Sequence, residues 1–299
     1  MNHRNAPAFA IAGAMVSLYV IWGSTYLAIR IAIEDFPPLY MAAARQLVAG
    51  AILYALMRLR GAPPPTRSQW KAGFITGALL LAGGNGGVSL SERSVDSSFA
   101  AIVVASMPLW VAVIGTRYGT KPSRRELVGL CVGFTGVIVL NLGHSIGGDP
   151  IAFIAIIASP ILWGWGSILS PRVDLPRGPI ASAVQMLCGG AVLVVLGGLF
   201  GEHFTHVPSA SSLLALSYLI GLGSLVAFSA YGFLLRTVRP AVATSYAYVN
   251  PIVAIILGVV FAGEHVGVRA LVATALTLGG VFIVVGTLST SSTKHDSTS

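Results

Sequence analysis

The sequence predicts an all-α membrane protein of ten transmembrane helices in two inverted five-helix repeats, on three observations. First, 55% of the 299 residues are hydrophobic and only 9% charged, with a mean hydropathy of +0.82; soluble domains carry about 25% charged residues to cover their surface. Second, the apolar runs have crossing length, about 20 residues each, and the polar breaks between them are too short for an extramembrane domain. Third, short strings in the first half recur in the second at a near-constant offset.

Charges, prolines and glycine clusters divide the chain. Helix 1 is expected over Ala8–Ile33, too long an apolar core for a cleaved signal, so it reads as a retained span. Helix 2 follows the Pro37-Pro38 turn over Pro38–Met57, helix 3 covers Ala72–Leu90, helix 4 Ser98–Tyr118 and helix 5 Leu127–Leu142. Helices 6 to 8 are expected over Ile151–Leu169, Ile180–Phe200 and Ser212–Leu235. Helices 9 and 10 cover Ala241–Phe261 and Val268–Leu288, and the polar tail from Ser289, including 291–299, reads as disordered.

The net charge of +8 resolves into a topology. Arg4, then Arg58, Arg60, Arg67 and Lys71, then Arg117, Lys121, Arg124 and Arg125, then Arg172, Arg177, Arg236, Arg239 and Lys294 all fall on one side of the membrane, and only Arg93 and Arg269 on the other. Because Lys and Arg are retained in the cytoplasm, both termini are expected there, in a multi-pass plasma (bacterial inner) membrane protein. Nucleic acid is excluded as a partner, since no basic cluster sits on a folded reading surface; the lipid bilayer is the expected partner. Cys131 and Cys188 lie in apolar stretches and read as lipid-protected or packed thiols.

Trp22-Gly23-Ser24 in helix 1 recurs as Trp165-Gly166-Ser167 in helix 6, and Pro108 in helix 4 answers Pro251 in helix 9, each about 143 residues on. Gln46 and Gly50 of helix 2 match Gln185 and Gly189 of helix 7, and Gly136 matches Gly280. The halves are therefore read as 1–146 and 147–290. With five crossings per half, the second copy enters the membrane from the opposite face, and a cavity between such halves can open to either side.

The string Trp22 to Tyr26 with Arg30, the Pro37-Pro38 turn, Arg45, and the stretch from Asn250-Pro251 to Gly263-Glu264 together resemble the EamA-type transporters of the drug/metabolite transporter superfamily. The resemblance covers nearly the whole chain. It implies ten helices in inverted repeats and, for many members, export of amino acids or related metabolites from bacteria. One departure is Thr120-Lys121, where the family has Gly-Glu at the end of helix 4.

Arg30 and Arg45 are the charges placed well inside helices, where insertion costs at least about 2.5 kcal/mol. Arg30 reads as reaching the outer interface near Glu34 and Asp35. Arg45 is open between a packing role and a cavity-facing fork for a substrate carboxylate. Trp22, Ser24, Trp163 and Trp165 offer aromatic walls and a hydroxyl, although Ser24 alone reads as packing. Asn85 lies in a glycine run of helix 3, and Tyr246, Tyr248 and Asn250 precede Pro251, which frees the carbonyl of Ala247; these are substrate-binding candidates, or helix clasps. Pro108 and Pro251 are the expected bending points. Glu264 reads as a loop-pinning group.

No cofactor is expected: the glycine run lacks a Walker A ending, so the chain does not hydrolyse ATP itself. No metal is expected either, because Glu202, His203 and His206 sit in a loop without further ligands. A membrane-embedded lipid-modifying enzyme would need paired carboxylates or clustered histidines at helix ends, which are lacking. The expected function is export of a small, amino-acid-like molecule by alternating access. A broad-specificity multidrug exporter of the same fold is the alternative, against which stands the lack of Asp and Glu in mid-helix regions.

Overall fold

A computed structural model of the chain describes residues 6–94, 103–140, 149–250, 252–253 and 268–285. Every regular element among them is helical. α1 (Ala8–Ala32) leaves an extended Pro7, and α2 (Pro38–Leu59) begins on the Pro37-Pro38 turn with proline at a position whose N–H has no helical partner. α3 (Arg67–Ser91) starts earlier than the hydropathy indicates. Thr66 and Gln69 form a reciprocal capping box, so polar residues open a helix that apolar residues continue.

α4 (Val103–Arg117) is broken at Ser106, and Pro108 lies in the first turn of its longer part, Met107–Arg117. α5 (Arg124–Leu140) and α6 (Pro150–Arg172) follow, the latter capped by Asp149 and containing Pro160. α7 (Ile180–Leu199) and α8 (Ala210–Thr237) are long and apolar. α9 departs from expectation: Pro240–Ala243 gives way to a turn at Thr244 and Ser245 before helix resumes over 246–250. α10 covers Val268–Val285. Pro251, Gly263-Glu264 and the tail lie outside the described residues.

Among the described residues, six helices (α1, α2, α3, α6, α7 and α8) are long and apolar enough to cross a membrane, and Val103–Arg117 and Leu271–Val284 are shorter apolar helices. Large side chains such as Phe9, Leu59, Leu199 and Phe282 are exposed on the outside of the bundle, as a lipid-facing surface requires. Small residues let helices approach closely. A Cβ on Gly280 of α10 would lie 2.5 Å from the Gly133 nitrogen of α5, so packing is what the Gly129/Gly133 pair serves.

α3 and α8 share one irregularity. Each contains a π segment, Ala78–Asn85 in α3 and Leu219–Val226 in α8, an element that tends to occur where backbone carbonyls are put to another use. Here Gly84 O accepts from Ser159 Oγ of α6 at 2.6 Å, and Gly223 O accepts from Trp22 Nε1 of α1 at 3.0 Å.

The corner carrying Thr120-Lys121 is tied by basic residues. Arg172 donates to the Thr120 hydroxyl, and Arg239 donates to Lys121 O at 3.1 Å and grips the Glu126 carboxylate through both Nε and Nη2. Glu126 also completes a capping box with Ser123 at the head of α5.

Candidate functional site

The turn periodicity of α1 puts Trp22, Thr25, Tyr26 and Ile29 on one face, and this face lines a cavity partly open to solvent. Across from it, α6 presents Ser159, Pro160 and Trp163, again one face. Arg45 comes from α2, Asn85 and Val88 from α3, Val104 and Met107 from α4, and Tyr246 and Asn250 from α9. Pro108 has no N–H, so the carbonyl of Val104 at the cavity lacks its helical donor.

Aromatic rings form one wall. Trp22 meets Trp163 edge to face with centroids 5.5 Å apart, and meets Tyr246 at 4.6 Å. Behind them Tyr231 of α8 lies 5.2 Å from Trp22 and 5.8 Å from Trp163. Trp163 Nε1 donates to the Tyr231 hydroxyl, which bonds Ser167, which in turn donates to Trp163 O. That closed ring fixes the indole plane.

Polar groups form the other wall. Arg45 is 3% exposed, and its Nε donates to Ser224 Oγ of α8 at 2.8 Å. Its Nη1 is buried without a partner, as are Asn85 Oδ1 and Asn250 Oδ1. Unmet buried polar atoms each cost roughly 1–3 kcal/mol, more for a charged group, and among the described residues no carboxylate pairs with Arg45. Tyr26 lies within hydrogen-bond reach of the Asn250 amide. The cavity thus offers one unsatisfied cationic donor and two unsatisfied carbonyl acceptors.

Of the residues singled out in the sequence, Trp22, Arg45, Asn85, Trp163, Tyr246 and Asn250 come together here. Three do not line the cavity. Ser24 bonds Ile21 O and the Tyr218 hydroxyl, joining α1 to α8. Trp165 is 42% exposed and donates to Tyr118 Oη at 3.2 Å. Tyr248 is fully buried and donates to Leu130 O of α5 at 3.0 Å. Trp163, not Trp165, meets Trp22, and Trp163 follows Trp22 at the same interval that separates the starts of the two π segments. Thr25, Tyr26, Ser159 and Met107 were not legible from single strings, but extending the 22 and 163 faces by three or four residues finds the first three.

A further carboxyl, Glu92, carries no signal in the sequence, which puts it in the connection after helix 3. It caps the end of α3, and its Oε2 is buried without a partner. Arg30 is exposed at the end of α1, within electrostatic range of Glu92. It does not take Asp35, which is held by Ser209, by Ser212 at 2.7 Å and by His206 at 2.8 Å; these hydrogen bonds keep its carboxyl well below the usual carboxylate range. Glu202 accepts the Leu39 and Tyr40 backbone N–H groups at the head of α2. Among the described residues no group of three His, Cys, Asp or Glu is poised to hold a metal. Cys131 is an exposed free thiol and Cys188 a half-buried one.

The family model for EamA-like transporters matches residues 9–142 and again 150–286. The chain is 46% identical over 254 residues to the protein named uncharacterized inner membrane transporter YedA of Escherichia coli (strain K12), covering 84% of this chain and 83% of that one. It is 24% identical over 268 residues to protein PecM of Dickeya dadantii (strain 3937), covering 88% of each. A crystal structure of a protein shares the fold with a TM-score of 0.76 at 20% identity, covering 93% of this chain and 96% of that one. The family and these names point to a transporter rather than an enzyme. Matched in both halves, and aligned over most of its length with a named transporter, the chain belongs to the EamA-like transporter family.

Proposed function

We propose that the protein is a secondary transporter that exports small amino-acid-like metabolites from the cell by alternating access. The observation that carries the substrate class is the set of three orphaned polar atoms in one aromatic-walled cavity. Arg45 Nη1 suits a carboxylate, while Asn85 Oδ1 and Asn250 Oδ1, as acceptors only, suit an ammonium group. A zwitterion supplies both at once, and the rings of Trp22 and Trp163 accept its apolar part.

Alternating access rests on reading 1–146 and 147–290 as inverted five-span repeats. The paired π segments in α3 and α8 and the facing of Trp22 and Trp163 support that reading. The break at Ser106 beside Pro108 is the bending point proposed for α4, and Pro251 for α9. The placing of basic residues supports cytoplasmic termini, and the name of the similar Escherichia coli protein supports the inner membrane.

The test is binding and efflux in proteoliposomes with a panel of L-amino acids, their methyl esters and their N-acetyl derivatives. The free amino acids are expected to bind, and blocking either charged end to lose at least tenfold in affinity. Equal handling of all three series overturns the zwitterion reading, and broad uptake of apolar cations restores the multidrug alternative.

A further inference from the structure

On α1, Arg30 directly follows Ile29, where the cavity lining ends; on α3, Glu92 lies one turn past Val88, whose carbonyl takes the Glu92 N–H. The two side chains therefore stand together at one rim of the cavity. Under the proposed topology that rim faces outward, because α1 and α3 both end there.

Glu92 is unusual among the carboxyls of this region. Asp35 and Glu202, on the same side, are each saturated by N–H and O–H donors. Glu92 as a whole is half-buried, but its Oε2 has no partner and no solvent. An anion with one oxygen shut away from donors and water is expensive, and the neutral acid relieves that expense. Burial pushes the carboxyl up to about 8, with the Arg30 charge pulling it back.

Among the described residues the ionisable groups around Glu92 are few. α1 brings Tyr26 and Arg30, α2 has Arg45 at the cavity, and the head of α6 carries Asp149, whose N–H contacts Ser94. Arg93, its neighbour on the chain, turns to a second cavity that opens to solvent and is lined by Glu34, Asp35, Glu202, His203 and His206. This vestibule brings water and titratable groups to within one residue of Glu92.

We propose that Glu92 is a proton-binding site, and that its exchange between a neutral acid and an anion drawn to Arg30 couples proton entry to the opening of the cavity rim. In the balanced step, Glu92 Oε2 takes a proton from outer-side hydronium, an O–H bond forms, water is released, and the attraction to Arg30 lapses. Loss of the proton restores the anion and draws α1 and α3 together again. The proton site stands on its own geometry; the coupling rests on the transport reading above.

Infrared difference spectroscopy of the protein in lipid, without cargo, tests the site. The wild type is expected to show a carboxylic C=O band that titrates near pH 8 and is missing in Glu92→Gln. Arg30→Gln is expected to move the midpoint up by about one unit, because an attractive charge is removed. Glu92→Asp, should the amide variant fold poorly, is expected to keep a shifted band. A band unchanged in Glu92→Gln, or one titrating in the ordinary carboxylate range, overturns the site. The coupling is read from maleimide labelling of Met107→Cys, in a background lacking Cys131 and Cys188. Labelling from outside is expected to slow severalfold between pH 6 and pH 9 and to lose that dependence in Glu92→Gln. A rate flat with pH in both overturns the coupling. Neither measurement uses an amino acid, so failure here is distinct from failure of the cargo reading.

Discussion

Trp22 of α1 and Trp163 of α6 meet edge to face, with ring centroids 5.5 Å apart, and each indole N–H is spent on α8: one on Gly223 O, the other on Tyr231 Oη. Both rings are thus anchored from behind, leaving their apolar edges to the cavity.

Trp165 and Trp163, two residues apart, are expected to behave oppositely. Trp163→Ala removes a ring packed on Trp22 and Tyr231 and is expected to cost about 3 kcal/mol and to abolish efflux. Trp165→Ala trims an exposed ring, and its cost is expected to stay under about 1 kcal/mol with efflux intact. Thermal unfolding in detergent and proteoliposome efflux measure both.

Arg45→Gln keeps a donor and removes the charge. Carboxylate-bearing cargo is expected to bind about tenfold to a hundredfold more weakly, the loss of one charge-assisted hydrogen bond, while its methyl ester is unaffected. Equilibrium binding of the matched pair reads the difference.

Ser159→Ala strands the Gly84 carbonyl inside the π segment of α3. The expected loss is about 1–3 kcal/mol. Ser159→Cys, a weaker donor of similar size, is expected to fall between, as judged by denaturation midpoints.

Asp35 gives a pH prediction. Its carboxyl is depressed by the Ser209, Ser212 and His206 hydrogen bonds, so the clasp between the end of α1 and the head of α8 is complete above the ordinary carboxylate value. That stability is lost as pH falls through the depressed folded value. Asp35→Asn is expected to lower the melting temperature at pH 7 and to flatten its decline between pH 4 and pH 2. A wild-type-like acid limb in the variant would contradict the clasp.

The membrane class and the family were legible because they rest on averages: low charge, span-length apolar runs and motifs in order. Helix ends were less so where a polar cap governs them, as at Thr66 and Gln69, which open α3 ahead of its apolar stretch. The turn at Thr244 and Ser245 escaped hydropathy because Tyr19 and local hydroxyl bonds to Val242 O and Pro240 O define it, not a proline or glycine. At the site, residue chemistry flagged Arg45, Asn85 and Asn250, whose desolvation is costly wherever they lie. Register failed at Trp165, because two Trp-Gly pairs stand side by side and the string alone favours the one followed by serine. Glu92 escaped because it lies one residue past the end of α3, where hydropathy gives no sign that its Oε2 is shut away.

A π turn holds one residue more than an α turn, so each such segment acts as a phase shift along its helix. Upstream of it, Thr76 of α3 takes a hydrogen bond from Gln185 of α7; at its end, Asn85 looks into the cavity. Removing one residue from Ala78–Asn85 would regularise the helix and, because the wider turn already absorbs that residue, leave Val88 and Glu92 near their present faces, whereas removing one from the α turns on either side would swing everything after it by about a quarter turn. The π stretch should therefore tolerate a one-residue deletion better than its α-helical flanks do.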